Sequence, residues 1–240
     1  NDAFDARIDA RERRGRPIPS GRIAAASATF VGITMLLVGL GMIAFASTAT
    51  LPWVITLGAC VLAYDLLHAF LPGSFLVMAA CRGLVPVIAA FATSSGTEWP
   101  LLWWVAGGSF AYVAAVGVAA KNEMRGFGTV ARAASWVLPV AACAPLGMWF
   151  VEGVAPEGPF LVTAGVGAMA VAVLSVTTGI RVATNGAFRF TVPAAVGIWL
   201  GAIPAIDAAT CLLLGKPLLA LLCVGLWGMA GALRPRYAAS

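Results

Sequence analysis

The sequence predicts an all-α integral membrane protein, a bundle of spanning helices, and three observations carry that reading. The 240 residues are 61% hydrophobic and only 10% charged, whereas a soluble domain has about a quarter charged residues. Eight stretches are apolar over roughly the length a bilayer demands, about 20 residues per helix. When the chain is threaded back and forth across a membrane, its basic residues collect on one side.

The eight stretches run near residues 24–46, 52–69, 75–93, 101–120, 133–151, 160–180, 190–213 and 217–233. Each is apolar all round and lacks a two-residue alternation, so helices are predicted and barrel strands are not. No linker or repeat divides them. Residues 1–240 therefore read as a single transmembrane helical domain, with 1–22 as a charged segment ahead of the first span. Gly197 with Gly201, and Gly165 with Gly167, allow helices to approach closely. Trp53, Trp99, Trp103, Trp149 and Phe160 fall near predicted ends and suit interfacial anchoring. The cysteines (Cys60, Cys81, Cys143, Cys211 and Cys223) lie in apolar stretches without metal-site or disulfide spacing and read as packing residues.

Orientation follows from the loops. With residues 1–23 cytoplasmic, alternation places the loops near 70–74, 121–132 and 181–189, and the C-terminus, on that side. Thirteen of the fifteen Lys and Arg residues then lie there, against Lys216 alone on the opposite side. This positive-inside bias predicts a multi-pass protein of the cell membrane with both the N-terminal segment and the C-terminus cytoplasmic. The net charge of +5 is accounted for by topology and lipid head groups, so no nucleic-acid partner is implied.

The chain opens on Asn1-Asp2-Ala3-Phe4-Asp5-Ala6-Arg7-Ile8-Asp9. On a helix Asp2, Asp5, Asp9 and Glu12 fall within roughly a quarter of the circumference, with Arg7, Arg11 and Arg14 opposite. Crowded carboxylates repel unless a cation sits among them, and hard oxygen ligands select Mg²⁺ shared with substrate phosphates. A solvated charged loop fits the same spacing.

Ionisable groups within or beside the spans each need a reason. Arg82 lies in the third stretch, where it either snorkels to the interface or faces a diphosphate. Tyr64 and His68 share a helical face at the end of the second stretch, beside Asp65, and suit phosphate contact or an ordinary interface. The loop Lys121-Asn122-Glu123-Met124-Arg125 offers one carboxylate, a neutral ligand and two cations, or a plain topogenic loop. Asp207, deep in the seventh stretch, is expected to stand apart from the aspartates. A single histidine and the missing Gly-rich phosphate loop exclude most hydrolytic, nucleotide and metal-redox chemistry.

Taken together, the N-D-x-x-D-x-x-x-D run of residues 1–9 and the following Arg16-Pro17-Ile18-Pro19-Ser20-Gly21-Arg22 resemble the first aspartate-rich motif of the UbiA superfamily of intramembrane prenyltransferases. The resemblance implies a helical bundle around a cavity that opens near the cytoplasmic interface and laterally to lipid. It further implies Mg²⁺-dependent transfer of a prenyl group from an isoprenoid diphosphate to a lipophilic acceptor. Asp2, Asp5 and Asp9 would be the catalytic aspartates, holding metal with Glu123. Asn1, Tyr64, His68, Arg82, Lys121, Asn122 and Arg125 would contact substrate. Because this motif follows the second span in the family, two further helices are expected ahead of Asn1.

The chain departs from the pattern in three places. The second motif's position keeps only Glu123 as a carboxylate, the family's frequent Tyr-x-x-x-Lys is Tyr64-x-x-x-His68, and a span near 217–233 follows the usual last one. With Asp65 and the Cys81-Arg82-Gly83-Leu84 segment, these features look closer to the EboC-like branch than to quinone-pathway members. A second function class fits them too, a UbiA-like membrane protein that binds or moves an isoprenoid or pigment precursor without catalysing transfer.

Overall fold

A computed structural model describes residues 3–12, 14–68, 70–92, 99–121, 127–147, 158–185 and 191–238. Among the described residues it is all-helical, with turns and no strands. The chain forms two compact units, residues 1–96 with 236–240, and residues 97–235.

The first unit contains α1 (Ala6–Glu12), α2 (Ala25–Ala46), a 3-10 turn (Thr48–Thr50), α3 (Leu51–Leu67) and α4 (Ser74–Ala92). The most extensive packing here is α3 on α4, with α2 lying against α3. None of residues 25–45 is buried, and Phe30, Met35, Leu37, Met42 and Phe45 all point outward. A helix apolar on every face and covered by little protein is one whose solvent is lipid. Gly58 of α3 lets α2 come close, since a Cβ there would sit 2.9 Å from a Leu40 methyl. The α2–α3 connection satisfies its own polar groups: the Thr50 hydroxyl donates to the Ser47 carbonyl at 2.5 Å and the Ile43 carbonyl at 3.3 Å, and the Ser47 hydroxyl to the Phe91 carbonyl at 3.3 Å. Helix ends inside an apolar medium require such partners. Pro52 sits in the first turn of α3, where its missing N–H costs nothing.

The second unit contains α5 (Trp99–Ala120), α6 (Thr129–Ser135), α7 (Val137–Ala142), α8 (Pro159–Asn185), α9 (Thr191–Leu213) and, as far as Pro235, α10 (Pro217–Ala238). Its core is the α8–α9 pair, antiparallel as the contacts Gly165 to Leu213 and Gly179 to Trp199 require, with α5 against α9. Trp199 is fully buried at the centre. Its indole N–H donates to the Val176 carbonyl at 3.1 Å, and the buried Tyr112 hydroxyl donates to the Trp199 carbonyl at 2.8 Å, so three helices are tied through one residue. Helix α9 ends in a Schellman turn: Lys216 N–H donates to the Cys211 carbonyl at 2.8 Å, with Gly215 at φ +69°. That turn delivers the chain directly into α10.

The helix boundaries lie close to those expected, with one correction. The continuous span expected over 133–151 is broken at Trp136 and again at Cys143, giving α6, α7 and a helical turn at 144–147. Pro139 and Pro145 explain both breaks, because each lacks the N–H that would reach the carbonyl four residues back and its ring crowds that carbonyl. Among the described residues, six helices are long and apolar enough to cross a membrane where the sequence suggested eight; Thr129–Ala142 and Pro217–Met229 are the two shorter ones.

Candidate metal and diphosphate site

The site is built at the N-terminal end of the first unit. The Asp9 N–H donates to the Asp5 carbonyl at 2.9 Å, which opens α1 and sets the two carboxylates one turn apart on one side. Both are withdrawn from water, and the Asp9 side chain is only 7% exposed. Two like charges that close would repel each other. Each is met by a basic group from another part of the chain.

Asp9 Oδ2 accepts from Arg16 Nη1 at 2.6 Å. Arg16 reaches back because the Arg-Pro-Ile-Pro-Ser-Gly segment folds into consecutive turns: Ser20 N–H to the Arg16 carbonyl at 3.0 Å, Gly21 N–H to Ile18 at 3.0 Å and Ile23 N–H to Pro17 at 3.1 Å. Gly21 takes φ +76°, a conformation that costs glycine nothing. Arg22 braces the loop, donating through Nη2 to the Gly15 carbonyl at 2.7 Å and through Nε to the Ser20 hydroxyl at 3.1 Å. Behind the ion pair lies a cleft of about 110 Å³ walled by Asp9, Arg16, Pro17, Ile18, Pro19, Ile23 and Ala28. Asp9 and Arg16 give it charge, and its other walls are apolar.

Asp5 Oδ1 lies 2.6 Å from His68 Nε2, a residue 63 positions away at the end of α3. His68 Nδ1 faces the Tyr64 and Asp65 carbonyls at 3.1 and 3.2 Å, and the imidazole stacks on the Tyr64 ring with centroids 5.3 Å apart. Tyr64 and His68 thus share a helix face, as their spacing predicts, and that face borders Asp5. Arg82 is half-buried in α4. Pro86, one turn on, has no N–H to offer the Arg82 carbonyl.

Lys121 is exposed at the end of α5 in the second unit, its N–H donating to the Gly117 carbonyl at 3.0 Å. Asn1, Asp2, Asn122, Glu123 and Arg125 lie outside the described residues. Asp207 is half-buried in α9. Sequence spacing alone missed two pairings, Asp9 with Arg16 and Asp5 with His68. The second was within reach of topology, since alternation returns the end of the second stretch to the side that carries the aspartates.

Among the described residues, no three His, Cys, Asp or Glu side chains converge as a metal-ligand group. The donor chemistry nevertheless fits Mg²⁺, which is bound through one or two carboxylates with substrate phosphates and water completing its shell. Asp5 and Asp9 supply two hard anionic oxygens from adjacent turns. Comparison with curated proteins and with solved structures gives no match. The model of the UbiA prenyltransferase family matches residues 1–191, so most of the chain, including the aspartate motif and the helices through α8, is covered by it. The chain belongs to the UbiA prenyltransferase family.

Proposed function

We propose that the protein catalyses Mg²⁺-dependent transfer of a prenyl group from an isoprenoid diphosphate to a lipophilic acceptor in the cell membrane, as an EboC-like member of its family. Members of the family are prenyltransferases that work in membranes on isoprenoid and lipophilic substrates. The observation that carries the reading for this chain is the α1 carboxylate pair, two acidic groups one turn apart and shielded from solvent beside a charged, folded loop.

Asp5 and Asp9, with Asp2 and Glu123, would hold the metal. A Mg²⁺ ion held by these residues would supply positive charge against the departing diphosphate. Asn1, Tyr64, Arg82, Lys121, Asn122 and Arg125 would orient and neutralise the phosphates, Arg82 and Arg125 with a guanidinium fork suited to them. In the reaction the allylic carbon–oxygen bond breaks and diphosphate departs with the electron pair. An electron-rich acceptor supplies the pair for the new bond and then gives up a proton. The apolar helices keep water from the cationic carbon.

The test is radiolabelled prenyl diphosphate offered with a panel of lipophilic acceptors to the full chain in nanodiscs. Transfer should require Mg²⁺ and fall on the order of 10²-fold in Asp5→Asn and in Asp9→Asn. The single carboxylate of the Lys121–Arg125 loop favours a second reading, a carrier that binds the lipid without transfer. Metal-independent lipid binding, no product, and indifference to both substitutions would establish the carrier instead.

A further inference from the structure

The geometry points to His68 as the positioning residue of Asp5, not a ligand of the diphosphate; the inference rests on the reading of Asp5 as a metal ligand. An imidazole has two polar atoms, and both are engaged. Nε2 lies 2.6 Å from Asp5 Oδ1, and Nδ1 faces the Tyr64 and Asp65 carbonyls at 3.1 and 3.2 Å. The carbonyls of the helix itself occupy Nδ1, so a new ligand would have to approach the ring at Nε2, where Asp5 already sits. A phosphate could reach this ring only by displacing Asp5.

The ring is also held in place. His68 sits at the C-cap of α3, where its own N–H donates to the Tyr64 carbonyl at 2.9 Å, and its face stacks on the Tyr64 ring. The histidine is therefore fixed by α3 before it meets Asp5. Short α1, only seven residues long, is too brief to hold a side chain rigidly by itself. Clamping Oδ1 restricts rotation of the Asp5 carboxylate and pins α1 to the end of α3, so the remaining ligand geometry is inherited from a spanning helix. Outer partners of this kind orient ligating groups and typically set metal affinity by 10- to 100-fold (roughly) when removed.

The experiment is Mn²⁺ binding followed by electron paramagnetic resonance, with Mg²⁺ as competitor, on the full chain in nanodiscs. It needs no turnover. His68→Ala and His68→Phe, the second keeping a ring to stack on Tyr64, should each weaken Mn²⁺ about 10-fold or more. His68→Gln, whose amide nitrogen stands near the place of Nε2, should recover most of the loss. In the transfer assay His68→Phe should raise the Mg²⁺ requirement while leaving the KM for prenyl diphosphate at saturating Mg²⁺ unchanged. Normal Mn²⁺ affinity in His68→Phe, with Asp5→Asn impaired, would overturn the positioning role and leave the metal site standing. A raised KM for the diphosphate at saturating metal would make His68 a phosphate ligand. Normal Mn²⁺ affinity in Asp5→Asn would remove the metal site itself and this role with it.

Discussion

A buried carboxylate is tolerable only with a partner, and Asp9 takes its partner from a side chain that remains 36% exposed. Removing Arg16 would strand the charge. Because the guanidinium is partly solvated, the expected cost is about 2 kcal/mol and not the full penalty of a buried ion pair. Arg16→Ala should therefore lower the unfolding midpoint in detergent by several degrees, and Arg16→Lys should fall between it and the wild type, keeping charge but losing the fork. An unchanged midpoint for the alanine variant would mean that Asp9 finds another partner. A second residue-scale prediction concerns Gly179, where a Cβ would lie 2.4 Å from the Trp199 indole nitrogen. Trp199 is clamped at both ends by hydrogen bonds and cannot retreat. Gly179→Ala should cost about 1–3 kcal/mol, while alanine at Gly167, with open space around it, should be nearly neutral. At this scale the sequence made the one-turn spacing of Asp5 and Asp9 legible, because carboxylate spacing on one helix face is local. The partners were not legible: which cation answers which aspartate depends on how the Pro17–Pro19 loop turns and where α3 ends.

The helices themselves were largely legible, since apolar length decides them and tertiary context rarely overrides a 20-residue apolar run. What periodicity hid was local backbone chemistry. Pro139 and Pro145 stand in plain sight within an apolar stretch, yet hydropathy counts them as neutral while the hydrogen-bond ladder does not. Cysteine pairing was likewise out of view, because partners come from different helices. The α3–α4 contact brings the Cys60 and Cys81 thiols within hydrogen-bonding reach, and the turn at Gly215 does the same for Cys211 and Cys223. Copper-phenanthroline oxidation of the full chain in nanodiscs, followed by non-reducing digestion and mass spectrometry, should yield Cys60–Cys81 and Cys211–Cys223 peptides. Cys143 should remain open to alkylation. Mixed pairs drawn across the two sets would show that Cys60 does not lie beside Cys81, nor Cys211 beside Cys223.

Whether the broken segment crosses the membrane decides the topology of everything after it, and charge can arbitrate where helix length does not. Residues 129–147 rise about 28 Å if helical throughout, close to the roughly 30 Å of hydrocarbon, so the break at Trp136 and Cys143 does not itself forbid a crossing. Should the segment fail to cross, Arg181, Arg189, Arg234 and Arg236 would all move to the outer side and Lys216 inward, leaving ten basic residues facing four. With the crossing retained the division is thirteen facing one. Loop Lys and Arg set orientation far more strongly than the small differences in hydropathy among these helices, so the broken helix and α10 are both expected to span. A reporter inserted near Glu157 should then be external, and one fused after Ser240 cytoplasmic, on the side of the aspartate motif. Reversal of either reporter would break the alternation: a cytoplasmic Glu157 reporter would place α6 and α7 as a re-entrant element, and the protein's family chemistry would have to be worked out on seven crossings.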